Sequence, residues 1–184
     1  MQPYNEEDTL IQLKSADPNL QKKAFEQIVF FYSEKLYRQI RKMVLSHDDT
    51  NDLLQNTFIK AWMNIDLFRG EAKLSTWLYK IAVNESITFL NKQRSQNNIS
   101  LDEKDTFLSD RLESDEYFDG DALQLKLQKA ILTLPEKQKL VFNMRYYDDM
   151  PYEEISEIVG TSVGALKASY HHAAKKIEDF LNHD

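Results

Sequence analysis

From Val163 to Leu181 the apolar residues recur every three or four positions, as Val163, Leu166, Tyr170, Ala173, Ile177 and Leu181. That spacing marks one face of an α-helix. Leu20, Ala24, Ile28, Phe31, Leu36, Ile40 and Val44 repeat it upstream and predict a long helix over about Asn19–Leu45. The two-residue alternation of a half-buried strand persists nowhere. Gly and Pro, four each in 184 residues, are too scarce for a turn-rich sheet. The expected fold class is all-α.

Breaks in the pattern divide the chain. Asp17-Pro18 ends a short helix from Glu6 to Ser15, and His47-Asp48-Asp49-Thr50 interrupts the long one. Asp49 or Thr50 is the expected cap of the next helix, which runs to about Asp66. A loop carrying Gly70 follows, then a helix over about Ser75–Arg94. Between Gln96 and Asp121 stand nine acids and two cations, an excess that equals the net charge of the whole chain, −7. Both flanks are near neutral. The segment 96–121 is also rich in Asn and Ser and predicts an acidic flexible linker. Helices are expected again at Asp121–Leu132, Glu136–Tyr147, Tyr152–Val159 and Ser162–Leu181. Pro135 and Pro151 stand at helix starts, where a missing N–H costs nothing. The plan is two small helical domains, 1–95 and 122–184, joined by the linker.

Several function classes drop out. The absence of cysteine excludes disulfides and thiolate metal sites and fits a reducing compartment. The four histidines lack metal-ligand spacing, and Asp48, Asp49 and Asp52 have no second ligand cluster beside them. No cofactor, metal or catalytic residue is expected, and the chain does not read as an enzyme. Its acidic start resembles no signal peptide, and no run approaches the roughly 18 apolar residues of a membrane span. A cytoplasmic location is expected.

Three surfaces remain. Tyr152–Val159, Gly160 and Ser162–Leu181 have the plan of a helix-turn-helix. Opposite its apolar stripe the second helix carries Gly164, Ala165, Ala168, His171, His172 and Lys175, with Lys167 at the rim. That face is small at first, then polar and basic, as a helix entering a major groove requires. On the helix beginning near Thr50, Asp52, Gln55, Asn56, Ile59 and Met63 lie away from the inner face of Leu54, Phe58, Ala61 and Ile65. They form a mixed patch suited to a protein partner, although scattered surface apolar residues are common. On the next helix Lys73, Lys80, Asn84, Ile87 and Asn91 share a stripe with Trp77 at its margin, behind the loop of Phe68, Arg69 and Gly70. Cations, amides and aromatics on one ridge suit phosphates and unpaired bases, and the loop could hold a base turned out of the stack. A solvated lysine face beside a core-edge tryptophan would look the same.

These residues carry a resemblance. Asn51-Asp-Leu-Leu-Gln-Asn-Thr-Phe-Ile-Lys-Ala-Trp62 is similar to the D-L-x-Q-x-x-F-x-x-x-W signature of bacterial sigma factors, in the segment that grips the clamp helices of RNA polymerase. Ser75–Asn84 resembles the stretch that opens and reads the minus-ten promoter element. Leu132–Phe142, Tyr146-Tyr147 and Tyr152–Ile155 resemble region 4, and Val163–Lys167 resembles the start of its minus-thirty-five reader. Order, two-domain plan and length are similar to the extracytoplasmic-function (ECF) branch. The resemblance implies polymerase docking for Asp52, Gln55, Asn56, Ile59 and Met63. It implies minus-ten contacts for Phe68, Arg69, Lys73, Trp77, Lys80 and Asn84. For the double-stranded upstream element it implies Gly164, Ala165, Lys167, Ala168, His171, His172 and Lys175. The implied partners are core RNA polymerase and promoter DNA, including the melted minus-ten strand. Proteins of this branch commonly also have an anti-sigma factor, and no membrane insertion is implied.

The chain departs from the family where Asn56 and Thr88 replace acids, where Asn91–Arg94 stands in place of an Arg-rich run, and where His171, His172 and Ala174 stand at positions that are more often arginine. Fewer arginines mean fewer bidentate guanine contacts and less phosphate neutralisation. Weak DNA affinity is therefore expected without polymerase. The 26-residue linker, fully extended, reaches roughly 90 Å, of the order of 25 base pairs. The family resemblance has it threading polymerase channels; a merely solvated tether fits its composition equally. The expected function is promoter-specific transcription initiation. Two alternatives stand beside it, a helix-turn-helix regulator that binds DNA without being a polymerase subunit and a pure interaction module.

Overall fold

The computed structural model describes residues 4–97 and 121–183. The expected linker lies, apart from its ends, outside the described residues. Eight α-helices occur among those described. α1 is Glu6–Leu13, α2 Pro18–Val44, α3 His47–Met63, α4 Leu74–Asn97, α5 Ala122–Leu132, α6 Glu136–Tyr146, α7 Tyr152–Val159 and α8 Val163–His183.

Side chains fix most of the helix starts. Asn5 Oδ1 accepts from the N–H groups of Glu7 and Asp8, and Glu6, Glu7 and Asp8 oppose the positive end of α1. Asp17 caps α2 ahead of Pro18, and Asp121 caps α5 through the Gln124 N–H at 2.8 Å. The start of α3 differs from expectation. Leu45 adopts φ 59° and stops α2; the extended Ser46 then accepts from the Asp49 N–H at 3.3 Å. The helix therefore begins at His47, and Thr50 is fully buried, its hydroxyl donating to the Ser46 carbonyl. Neither Asp49 nor Thr50 is the cap. α3 also stops at Met63, and a 3₁₀ turn, Ile65–Leu67, replaces its expected last residues.

The buried stripe of α2 follows a strict four-residue row, Ala24, Ile28, Tyr32, Leu36, Ile40 and Val44. Leu20 and Phe31, expected on that stripe, remain 40% and 38% exposed. A helix turns 3.6 residues per turn, so Phe31 falls to the flank, where Tyr4 stacks on it at 4.0 Å. α3 adds Leu53, Thr57, Phe58 and Ala61 to the core, and Leu54 is only half-buried. α4 adds Leu74, Leu78, Tyr79, Ala82 and Val83. Each large apolar side chain so buried stabilises the fold by roughly 1.5–3 kcal/mol.

In the carboxy-terminal part, Gly160 at φ 70° closes α7, its N–H donating to the Ser156 carbonyl at 2.9 Å. This left-handed position suits glycine. Ser162 then caps α8 through the Ala165 N–H. Ala130, Ile131, Leu134, Phe142, Ala173 and Ile177 form one core where α5, α6 and α8 meet. The larger core runs from α1–α4 into Leu140, Val141, Met144, Met150, Ile155, Ile158 and Leu166. The two halves are thus packed together, α6 on α2 and α7 on α4.

Candidate functional site

The α3 patch occupies one wall of a groove. Asp52, Gln55 and Ile59 line it, and α2 supplies the opposite wall through Phe25, Val29 and Ser33. The groove is about 650 Å³, floored by Phe58 and Trp62, with the Phe25 ring 4.9 Å from Trp62. Asn56 and Met63 are exposed outside it, and Met63, 75% accessible, extends the apolar surface. The α2 wall escaped the sequence reading. Phe25 and Val29 are spaced i, i+4, but beside the stronger core row they read as flank. Phe30, 72% exposed, continues the surface around α2 with Phe31 and Val29.

The second surface begins at the loop between α3 and α4. Phe68 is buried with its ring 5.2 Å from Trp77, so it supports the loop from below and is not displayed on it. Arg69 projects next, and Gly70 turns the chain at φ 77°. Lys80 and Asn84 stand exposed on α4 with Ile87 and Asn91. Lys73 has a partner: its ammonium is paired with Glu154 of α7, which holds the Lys73 pKa above its ordinary value. The expected base-reading ridge is therefore engaged at one end by the other half of the chain. Lys42 of α2 pairs with Asp148 at 2.7 Å, and Arg94 of α4 lies 3.5 Å from Glu136. Both side chains of the Lys42–Asp148 pair are largely buried, at 17% and 14% exposure. Desolvation lowers the Lys42 pKa, opposed by the aspartate.

On α8, Gly164, Ala165, Lys167, Ala168, His171, His172 and Lys175 are all exposed, and Leu166, Ala173 and Ile177 are buried beneath them. A Cβ placed at Gly164 would meet nothing within 4 Å, so this end of the helix is open to close approach. The surface and core stripes separate cleanly here because α8 is long and packed on one side only. Among the described residues no group of three or more acidic, histidine or cysteine side chains could hold a metal. Nor is any helix of the described residues long and apolar enough to cross a membrane.

An all-helical chain that presents a groove, a cation-and-aromatic ridge and a helix-turn-helix in this order has the form of a transcription-initiation subunit. The family described as Sigma-70 region 2 matches residues 32–96, and Sigma-70, region 4 matches residues 124–177. The ECF RNA polymerase sigma factor SigW of Bacillus subtilis is 30% identical over 178 residues, covering 92% of this chain and 93% of that protein. The ECF RNA polymerase sigma-E factor of Haemophilus influenzae is 30% identical over 166 residues, covering 86% and 87%. Two solved structures share the fold. The sigma factor RpoE in complex with the anti-sigma factor NepR, from Bartonella quintana, has a TM-score of 0.69 at 23% identity, covering 88% of this chain and 99% of that one. CnrH in complex with the cytosolic domain of CnrY has a TM-score of 0.71 at 20% identity, covering 97% and 98%. The chain belongs to the sigma-70 family, in its ECF branch. It is a sigma factor that binds core RNA polymerase and directs promoter-specific transcription initiation. A helix-turn-helix regulator acting without polymerase is not favoured, since region 2 has no place in it.

Proposed function

We propose that the three surfaces divide the work of initiation, in the cytoplasm and with no chemistry performed by the chain itself. Residues 1–95 dock on core polymerase through the α2–α3 groove, with Asp52, Gln55, Asn56, Ile59 and Met63 at the contact. They also read the melted minus-ten strand. Arg69, Lys73 and Lys80 serve its phosphates and Trp77 and Asn84 its bases, with Phe68 as the buried support of the loop. Residues 122–184 read the upstream duplex with the outer face of α8. Residues 96–121 are the acidic tether between them. An anti-sigma partner is part of this reading. RpoE and CnrH, which share the fold, were solved with NepR and the cytosolic domain of CnrY bound.

The observation that carries the proposal is the accessible groove beside exposed Ile59 and Met63 (49% and 75%) in a chain whose other large apolar residues mostly enter a core. Such a surface awaits a partner. The experiment is a core-polymerase pull-down followed by run-off transcription from a candidate promoter. Ile59→Asp with Met63→Asp should lower core affinity at least tenfold and abolish transcription, while circular dichroism stays unchanged. Lys80→Ala with Asn84→Ala should keep core binding and impair melting seen by permanganate. Unchanged core binding in the first variant would remove the groove from the proposal; normal melting in the second would remove the ridge.

A further inference from the structure

The surface proposed to dock polymerase and the ridge proposed to read the melted strand stand on different helices, α3 and α4. An ion pair joins those helices beside both surfaces: Lys60 Nζ lies 2.5 Å from Glu85 Oε1. On α3, Lys60 adjoins Ile59 and lies one turn from both Asn56 and Met63, three of the proposed docking residues. On α4, Glu85 follows Asn84.

The positions around the pair are small and closed. Thr57 and Ala61 of α3 and Ala82 and Ser86 of α4 all have 0% exposure. The Thr57 hydroxyl donates to the Leu53 carbonyl at 2.7 Å and the Ser86 hydroxyl to the Ala82 carbonyl at 2.8 Å, so each is spent within its own helix. Thr88, one turn beyond Asn84, likewise gives its hydroxyl to the Asn84 carbonyl. Packed helices with no directional contact between them shift by small sliding steps. The Lys60–Glu85 pair is directional and sets one alignment.

Its two ends differ in accessibility. The Glu85 side chain is 16% exposed and that of Lys60 54%. Water at the ammonium screens the attraction, so the pair contributes little to the stability of the free chain. A protein seated on Asn56, Ile59 and Met63 would cover the ammonium and lower the local dielectric, which strengthens the attraction. The desolvation cost falls on docking, and a stiffer link between the helices remains.

We propose that Lys60 and Glu85 are positioning residues that couple the two surfaces. Docking of polymerase tightens the pair, the pair fixes α4 against α3, and Lys80 and Asn84 are thereby held in register for the melted strand. By linkage the bound strand strengthens docking by the same factor. The inference rests on the assignment of docking to the α3 patch and of minus-ten reading to the α4 ridge.

The test uses holoenzyme assembled on saturating core polymerase, and fork-junction DNA with an exposed non-template minus-ten strand. Lys60→Met and Glu85→Gln keep the side-chain shapes and remove the charges one at a time. Each should leave the melting temperature of the free chain and its affinity for core nearly as in the wild type. Each should lower the fork affinity of the holoenzyme about five- to tenfold. The exchange Lys60→Glu with Glu85→Lys rebuilds the pair in reverse and should recover most of that loss. Undiminished fork affinity in both single variants would overturn the proposal. So would a loss that the exchange fails to recover, which would make one of the two residues a direct contact of DNA or polymerase. A lowered melting temperature in the free single variants would make the pair an ordinary contact of the fold and overturn it as well. Lys80→Ala with Asn84→Ala is the control. Fork affinity untouched by that variant would bring down the ridge assignment and the proposal with it, whereas a loss there without recovery by the exchange removes the coupling alone.

Discussion

Gln39 is the residue most at odds with its surroundings. It lies beside the α2 core row at 0% exposure, and neither its Oε1 nor its Nε2 has a hydrogen-bond partner. A buried amide without partners costs about 1–3 kcal/mol of desolvation, which an apolar side chain of similar volume avoids. Gln39→Leu should therefore raise stability by about 1–2 kcal/mol, read as a higher urea midpoint with an unchanged slope. An unchanged or lower midpoint would mean that the amide is satisfied in solution by water. Nothing in the sequence distinguished Gln39 from the solvated glutamines around it. It lies outside the four-residue row that the periodicity of α2 marks as buried.

At the level of the elements, the helices were legible and their boundaries less so. Apolar spacing located all eight because each buries one stripe and the chain has little glycine to interrupt them. The start of α3 was not legible: Ser46, Asp49 and Thr50 are all cap formers, and the choice was made by Leu45 entering a left-handed conformation that its side chain does not advertise. The groove proposed for docking was half legible, since its α3 wall carries a signature and its α2 wall only two flank residues. Gly160 could be read directly. At φ 70° with nothing within 4 Å of an added Cβ, its cost on substitution is purely conformational. Gly160→Ala should destabilise the chain by about 1 kcal/mol without altering the core contacts. Gly164→Ala, within a helix and equally unhindered, should be neutral or slightly stabilising. If the outer face of α8 reads DNA, the same Gly164→Ala should weaken upstream-element binding by holoenzyme. Calorimetry and a binding titration on the two variants separate backbone strain from DNA contact.

On the scale of the whole molecule, the contact between the halves is the feature that sequence could not supply. Lys42 and Asp148 are 106 residues apart, and their pairing depends on the relative placement of two units each near neutral overall. The observed contact is built from complementary single charges laid over a shared apolar core. Reversing one of those charges should open it. Asp148→Asn with Glu154→Lys places a cation against Lys73 and leaves Lys42 unpaired. X-ray scattering should then show a radius of gyration several ångströms above the roughly 16 Å of a compact chain of this length. Helix content should stay unchanged. A scattering curve identical to wild type would show that the apolar core alone holds the halves together.

The pairing of Lys73 with Glu154 also bears on how many copies of the chain are at work at any moment. If the ridge reads the minus-ten strand as proposed, a promoter can use it only in molecules whose halves have parted, and the apparent dissociation constant is the intrinsic one divided by that competent fraction. Each 1.4 kcal/mol held in the contact lowers the fraction about tenfold. The α2–α3 groove is accessible while the halves are packed together, so in the proposed docking mode polymerase can engage that form and then favour the parted state. In that case the amount of protein present and the amount of transcription it supports are uncoupled, and a store of inactive subunit can stand ready without competing for promoters.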